Sequence, residues 1–179
     1  MEWNPETPIR MSGVVRDSIV DGIGVRYTVF VQGCPHHCKG CHNPETHDPN
    51  GGYENTVGAL FKDIAKQKYI KGVTFSGGEP FAQTKPLLML AKHLKESEQT
   101  SRFDLTCYSG WTLKQLLKKS EDEPEIKELL LMCDVLVDGA FVLSKRSLAL
   151  AFRGSTNQRL LFKEDILREI TPNDKEKEG

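Results

Sequence analysis

Three of the five cysteines of this 179-residue chain fall within one loop, at Cys34, Cys38 and Cys41. The stretch reads Gly33-Cys34-Pro35-His36-His37-Cys38-Lys39-Gly40-Cys41-His42-Asn43. Thiolates are soft ligands that suit iron–sulfur clusters or zinc, and a C-x3-C-x2-C loop can bring three of them to one inorganic centre. A [4Fe–4S] cube is normally held by four cysteines. Three would leave one iron with an open position, which is where a metal centre does chemistry.

Other chemistries compete for the same residues. A structural zinc site could use Cys34, Cys38, Cys41 and His42, although Cys41 and His42 are adjacent and seldom reach one metal comfortably. Cys38-Lys39-Gly40-Cys41-His42 also reads as a c-type haem attachment, C-x-x-C-H. That reading leaves Cys34 unexplained. A disulfide is disfavoured in a reducing cytosol. The loop favours the cluster, with zinc next. His36, His37 and His42 read as exposed or stacking side chains, since iron–sulfur clusters are mostly all-cysteine. Cys107 and Cys133 lie on or beside expected strands and read as small core residues.

The second informative stretch is Ser76-Gly77-Gly78-Glu79-Pro80. Two consecutive glycines let the backbone approach a ligand closely, and Glu79 adds an acceptor suited to an ammonium group. Taken alone, the stretch reads rather as a tight turn ahead of a helix; paired with the cysteine loop it reads as more than a turn.

The elements that must position these loops alternate in type. Val25–Gln32 reads as a strand that delivers the chain into the cysteine loop. Asn43–Tyr53 is turn-rich, and Thr56–Gln67 carries apolar residues at helical spacing. Gly72–Ser76 reads as a strand. A helix follows Thr84, its expected N-cap, with Leu87, Leu88, Ala91 and Leu94 on one stripe. A strand over Phe103–Cys107, helices near Leu113–Lys119 and Glu125–Met132, and a strand over Asp134–Asp138 come next. Ser144–Phe152 is expected to be helical, Gln158–Phe162 a strand and Lys163–Ile170 a helix. Strand–helix alternation implies a parallel sheet with helical crossovers. In such folds the ligands collect at the carboxyl ends of the strands, where the cysteine loop, Ser76–Pro80, Tyr108–Trp111 and Asp138–Phe141 all fall. A complete eight-stranded barrel takes roughly 200 residues or more. The expectation is therefore α/β, a partial, open (β/α) barrel with a mostly parallel sheet.

The balance of 24 Lys and Arg against 25 Asp and Glu gives no global bias toward nucleic acid or a membrane surface. No apolar run reaches the roughly 18–20 residues of a membrane span, and the polar start lacks the regions of a signal peptide. A cytoplasmic protein is expected, made of one domain over residues 1–179. Residues 1–12 read as an N-terminal extension and 171–179 as a frayed, disordered tail.

Taken together, C-x3-C-x2-C after one strand and Gly-Gly-Glu-Pro after the next resemble the radical S-adenosylmethionine (SAM) superfamily. Asp21–Arg26, Cys107–Trp111, Leu136–Phe141 and Arg153–Arg159 resemble, in order, the activating proteins of anaerobic ribonucleoside-triphosphate reductase. The likeness spans most of the chain, with a longer front end and with Ile23 where that family often has proline. It implies an oxidoreductase in which Cys34, Cys38 and Cys41 hold one [4Fe–4S] cluster whose open iron chelates SAM. Gly40, Cys41 and His42 would line the adenosyl side, and Gly78 with Glu79 the methionine amino group. Reductive cleavage would give a 5′-deoxyadenosyl radical that takes a hydrogen atom from a glycine of the reductase large subunit, making a glycyl radical. The resemblance implies no catalytic residue beyond the cluster and SAM, and an electron donor such as flavodoxin or ferredoxin. A short chain leaves one side open for a protein loop. Asp138 and Arg153 read as ion-pair or substrate-contact residues near the mouth. The alternatives are pyruvate formate-lyase activase, a small-molecule radical enzyme such as a deazaguanine synthase, and a non-enzymatic zinc or iron–sulfur module.

Overall fold

The computed structural model describes residues 1–171. In chain order these form β1 (Pro8–Ser18), β2 (Arg26–Val31), β3 (Tyr53–Thr56), α1 (Val57–Ala65), β4 (Gly72–Gly77) and α2 (Thr84–Glu96). There follow β5 (Asp104–Tyr108), α3 (Leu113–Lys119), α4 (Pro124–Met132), β6 (Val135–Asp138), β7 (Arg159–Phe162) and α5 (Lys163–Ile170). The expected frayed tail lies outside the described residues, except for Thr171.

All seven strands join one mostly parallel sheet in the order β3-β1-β2-β4-β5-β6-β7. The four central strands, β2, β4, β5 and β6, run parallel. Antiparallel β1 and β3 extend one edge, and antiparallel β7 closes the other. The central strands are rich in Val, Leu, Thr and Phe, as strands buried on both faces must be. One face puts Tyr27, Val29, Val31, Val73, Phe75, Leu105, Cys107 and Leu136 into the main core. Leu60 and Ile64 of α1, Leu87, Leu88 and Ala91 of α2, and Leu129 and Leu130 of α4 cover it. Local chemistry fixes the helix starts. The Thr56 hydroxyl accepts from the Ala59 amide at 3.2 Å, and Thr112 with Gln115 forms a capping box on α3.

The opposite face carries a different set of side chains. Thr28, Thr74 and Thr106 share one register row and are buried, while Phe30, Ser76 and Tyr108 lie nearer the strand ends. The connection from β1 to β2 folds back over this face, where the Thr74 hydroxyl donates to the Asp21 carbonyl at 2.8 Å. Arg26, 1% exposed, lies beneath it. Its guanidinium donates to Thr74 Oγ1 at 2.6 Å, to the Ile23 carbonyl at 2.8 Å and to the Val73 carbonyl at 2.9 Å, and pairs with Asp104. A β-carbon at Gly22 would stand 2.7 Å from Arg26 Cδ, so Asp21–Arg26 is a turn shaped around its own arginine.

The front end, residues 1–12, joins the fold: β1 begins at Pro8 and Trp3 stacks on His93 with ring centroids 3.8 Å apart. Three expectations need correction. The turn-rich stretch ends in β3, a polar edge strand held by its pairing to β1. Helix α2 begins at Thr84 itself, with Gln83 as its N-cap. Ser144–Phe152 is not a helix. Only Leu143–Lys145 makes a short 3-10 turn, after which the Ser147 amide donates to the Gly154 carbonyl at 3.1 Å and Arg146 bridges Ser155. Leu148, 89% exposed, has no core to face, so nothing rewards a helical stripe there.

Candidate active site

At the carboxyl ends of the parallel strands lies a cavity of about 970 Å³. Cys34, Cys38 and Cys41 all stand on its wall, with Ser76, Gly77 and Gly78 at the end of β4, Tyr108–Gly110 at the end of β5 and Gly139 and Phe141 beyond β6. Every strand-end loop singled out from the sequence therefore reaches one space. The β1–β2 turn and residues 146–154 form its rim. Ile19, Val20 and Leu148 leave large apolar side chains exposed there.

The cysteine loop leaves β2 through Gly33, whose φ of +95° suits glycine. The Gly33 amide donates to the Thr46 carbonyl at 2.7 Å and the Cys34 amide to the His47 carbonyl at 3.1 Å. Within the loop the Cys41 amide donates to the Cys38 carbonyl at 3.1 Å. Burial pushes the Cys34 thiol up in pKa, the nearby Glu79 adds to this, and hydrogen bonds from the His36 and His37 backbone oppose it. A cation at the sulfur reverses that balance, since a coordinating thiol is deprotonated outright.

The donor set fits a [4Fe–4S] cluster. Three soft thiols face one cavity, and His47 on the same wall has a buried Nε2 without a hydrogen-bond partner. Among the described residues, no three His, Cys, Asp or Glu side chains converge tightly enough for a single ion.

The SAM-side expectations divide. Cys41, His42 and Gly78 stand on the cavity wall. Gly40 does not: its φ is +77° and a β-carbon there would meet Leu143 Cδ1 at 2.9 Å. Glu79 is not on the wall either: it is 0% exposed, behind the lining residues His36, Ser109 and Gly110. Its Oε1 accepts from the Ser109 hydroxyl at 2.9 Å and the Phe81 amide at 3.1 Å. Its Oε2 meets His36 Nε2 at 2.6 Å and accepts from the Gly110 amide at 2.8 Å. A carboxylate offers about four acceptor positions, and the chain's own donors take them all. In this structure the Glu79 carboxylate is thus held as an internal tie.

Gly78 has a structural reason of its own to be glycine, because a β-carbon would overlap the Gly33 carbonyl oxygen and lie 3.1 Å from that of Thr46. His37, at φ +47°, meets His47 edge-on, and His42 lies tilted over Phe141 at 5.5 Å. Asp138 pairs with Arg159 at 2.6 Å and accepts from the Leu113 amide at 2.7 Å, a tie from β6 to β7 and α3. Arg153 lines the cavity, donating to the Ala151 carbonyl at 3.3 Å. Cys107 and Cys133 are buried in the core.

Sequence reasoning placed Tyr108 in a strand-end loop without giving it a role, and passed over His47. The Tyr108 hydroxyl donates to the Phe152 carbonyl at 2.9 Å and so holds the rim against β5. Burial raises its pKa and keeps it a neutral donor. Its place at a strand end was the available signal; His47 had none.

Comparison with known proteins is consistent with this site. The family described as a 4Fe-4S single cluster domain matches residues 20–161. An anaerobic ribonucleoside-triphosphate reductase-activating protein of Vibrio cholerae is 37% identical over 146 residues, covering 78% of this chain and 89% of that protein. Its counterpart in Haemophilus influenzae is 30% identical over 150 residues with the same coverage. A pyruvate formate-lyase-activating enzyme of Clostridium pasteurianum is 36% identical over 117 residues, covering 63% of this chain and 49% of that enzyme.

Proposed function

Because the chain belongs to the family of anaerobic ribonucleoside-triphosphate reductase-activating proteins, we propose that it makes a glycyl radical on such a reductase. A [4Fe–4S] cluster held by Cys34, Cys38 and Cys41 would supply the electron for reductive cleavage of SAM to methionine and a 5′-deoxyadenosyl radical, which would take a hydrogen atom from a glycine of the reductase large subunit. A glycine suits the role because the amide nitrogen and carbonyl share the spin and no side chain blocks access. The observation that carries the reading is the placement of three cysteines on one cavity whose mouth lies between exposed apolar rims.

The chain's own residues have defined tasks in it. Cys34, Cys38 and Cys41 provide the cluster thiolates. Cys41 and His42 line the adenosyl side of the SAM site, and the backbone at Gly78 lies on the methionine side. Tyr108 fixes the rim through Phe152. Ile19, Val20 and Leu148 shed water when the glycine-bearing segment covers the mouth, which keeps a reactive carbon radical away from solvent.

The same proposal treats the chain as a single domain with the partial, open (β/α) barrel of the radical SAM superfamily. It assigns an outside one-electron donor of the flavodoxin or ferredoxin kind and a cytoplasmic place, where thiols stay reduced. Among the described residues no helix is long and apolar enough to cross a membrane.

The test mixes the reduced, cluster-loaded protein with SAM and the large reductase subunit without oxygen. The expected result is a paramagnetic doublet on the reductase, because a glycyl radical keeps one α-hydrogen. A doublet formed on pyruvate formate-lyase and not on the reductase would reassign the partner. Cleavage of SAM with turnover of a small metabolite, and no protein radical, would overturn the activase reading.

A further inference from the structure

The Gly-Gly-Glu-Pro turn makes its contacts with the cysteine loop. The Gly78 amide donates to the Val31 carbonyl at 2.8 Å and the Glu79 amide to the Gly33 carbonyl at 2.8 Å, so the turn lies along the exit of β2. From there the buried Glu79 carboxylate reaches His36, midway between Cys34 and Cys38. A carboxylate only accepts, so His36 Nε2 carries the proton in this bond. The imidazole is held from two further sides. Its ring meets Trp111 edge-on at 4.6 Å, and a β-carbon at Gly110 would come within 2.6 Å of Nε2. Among the described residues this is the one hydrogen bond that ties residues 35–40 to another element.

We propose that Glu79 and His36 form a clamp that seats the cysteine loop, making Glu79 a positioning residue for the cluster ligands. Three thiolates must keep fixed separations to hold a cube, yet the segment between Cys34 and Cys41 has no helix or strand to set them. The clamp supplies that constraint from outside the loop. It also explains why Ser109 and Gly110 follow β5. Ser109 fills one acceptor position of the carboxylate, and Gly110 fills another while leaving room for the imidazole. The inference rests on Cys34, Cys38 and Cys41 being the cluster ligands.

The experiment reconstitutes wild type, Glu79→Gln, His36→Ala, the double variant, His36→Gln and Cys38→Ala anaerobically. It then follows iron loss to excess ferrous chelator and SAM binding by the loaded fraction. A buried hydrogen bond to a charged group is worth enough to change a rate about ten- to a hundredfold. Glu79→Gln and His36→Ala should each speed iron loss by about that factor. The double variant should be no faster than the faster single one, because the two residues share one bond. His36→Gln keeps an N–H donor and should restore most of the retention, which a general loss of packing would not allow. The His36 variants leave the core intact, so the test stands even if Glu79→Gln folds poorly. Single effects that multiply in the double variant would overturn the clamp. So would a Glu79→Gln protein that keeps its iron like wild type but loses SAM affinity, since Glu79 would then be the ammonium acceptor. Iron retained by Cys38→Ala would instead refute the ligand assignment beneath both.

Discussion

Arg26 and Glu79 are both buried charged side chains with every polar atom engaged, and they sit at opposite ends of the parallel strands. Arg26 lies at the amino ends and bonds to strand residues, a turn carbonyl and Asp104. Glu79 lies at the carboxyl ends and bonds only to loop atoms and the start of a turn. A buried ion is tolerated only when paired and hydrogen-bonded, so both satisfy the same physical demand. What each one holds differs. Arg26 fastens β2, β4 and β5 to each other, whereas Glu79 fastens loops that the sheet alone would leave independent. Stability and site geometry are thus separable in this fold, one at each end of the strands.

The sharpest contrast comes from exchanging damage between the two ends. Cys38→Ala should abolish a stable [4Fe–4S] centre, read as iron and sulfide per chain after anaerobic reconstitution. Its apo-protein unfolding midpoint should stay close to wild type, because Cys38 lies outside the core. Arg26→Ala should do the reverse. Removing the buried guanidinium leaves the part-exposed Asp104 carboxylate and three carbonyls short of a donor, at a cost of about 3 kcal/mol in denaturant unfolding. The part that folds should still assemble a cluster. If Arg26→Ala lost iron without losing stability, the two ends would not be separable.

Gly78→Val tests whether the glycine pair serves the cofactor or the loop. An added side chain must displace Gly33 and Thr46, so overpacking of about 1–3 kcal/mol and weakened iron retention should appear together. A folded variant that keeps its cluster but fails to bind SAM would assign Gly78 to the cofactor alone.

The smallest effect lies on the helix-covered face. Asp63 is pushed up by burial, but hydrogen bonds from Tyr27 and Arg16 outweigh this and hold its carboxyl below the usual value. A depressed carboxyl contributes stability that is full above its unfolded pKa of about 3.9 and is lost as pH falls through the native value. Tyr27→Phe removes one of those bonds. It should cost about 1 kcal/mol at neutral pH, with the deficit shrinking on acidification below pH 4. Urea unfolding at pH 7 and pH 3 checks this, and an equal deficit at both would break the link.

The parallel core was legible because its signals are local. Valine-rich runs and apolar stripes each specify an element without reference to the rest of the chain. Strand β3 and the 146–154 rim were not, since Tyr53–Thr56 is polar and owes its shape to β1, and Leu148 has no core to face. The three cysteines reach one cavity wall, as their spacing suggested. The type of Glu79 and its place beside two glycines suggested a ligand acceptor, and its internal partners could not be read from the sequence. Only the spatial arrival of His36, Ser109 and Gly110 shows its positions to be filled, and those residues lie up to 43 positions away in sequence.

The central claim is that this chain moves a hydrogen atom from a glycine of another protein. Reductase large subunit made with α-deuterated glycine tests it most directly. Incubated with the reduced, cluster-loaded protein and SAM without oxygen, it should yield 5′-deoxyadenosine carrying deuterium, and its radical signal should collapse from a doublet to a near-singlet. Unlabelled 5′-deoxyadenosine from a reductase that nonetheless stays radical-free would contradict the account.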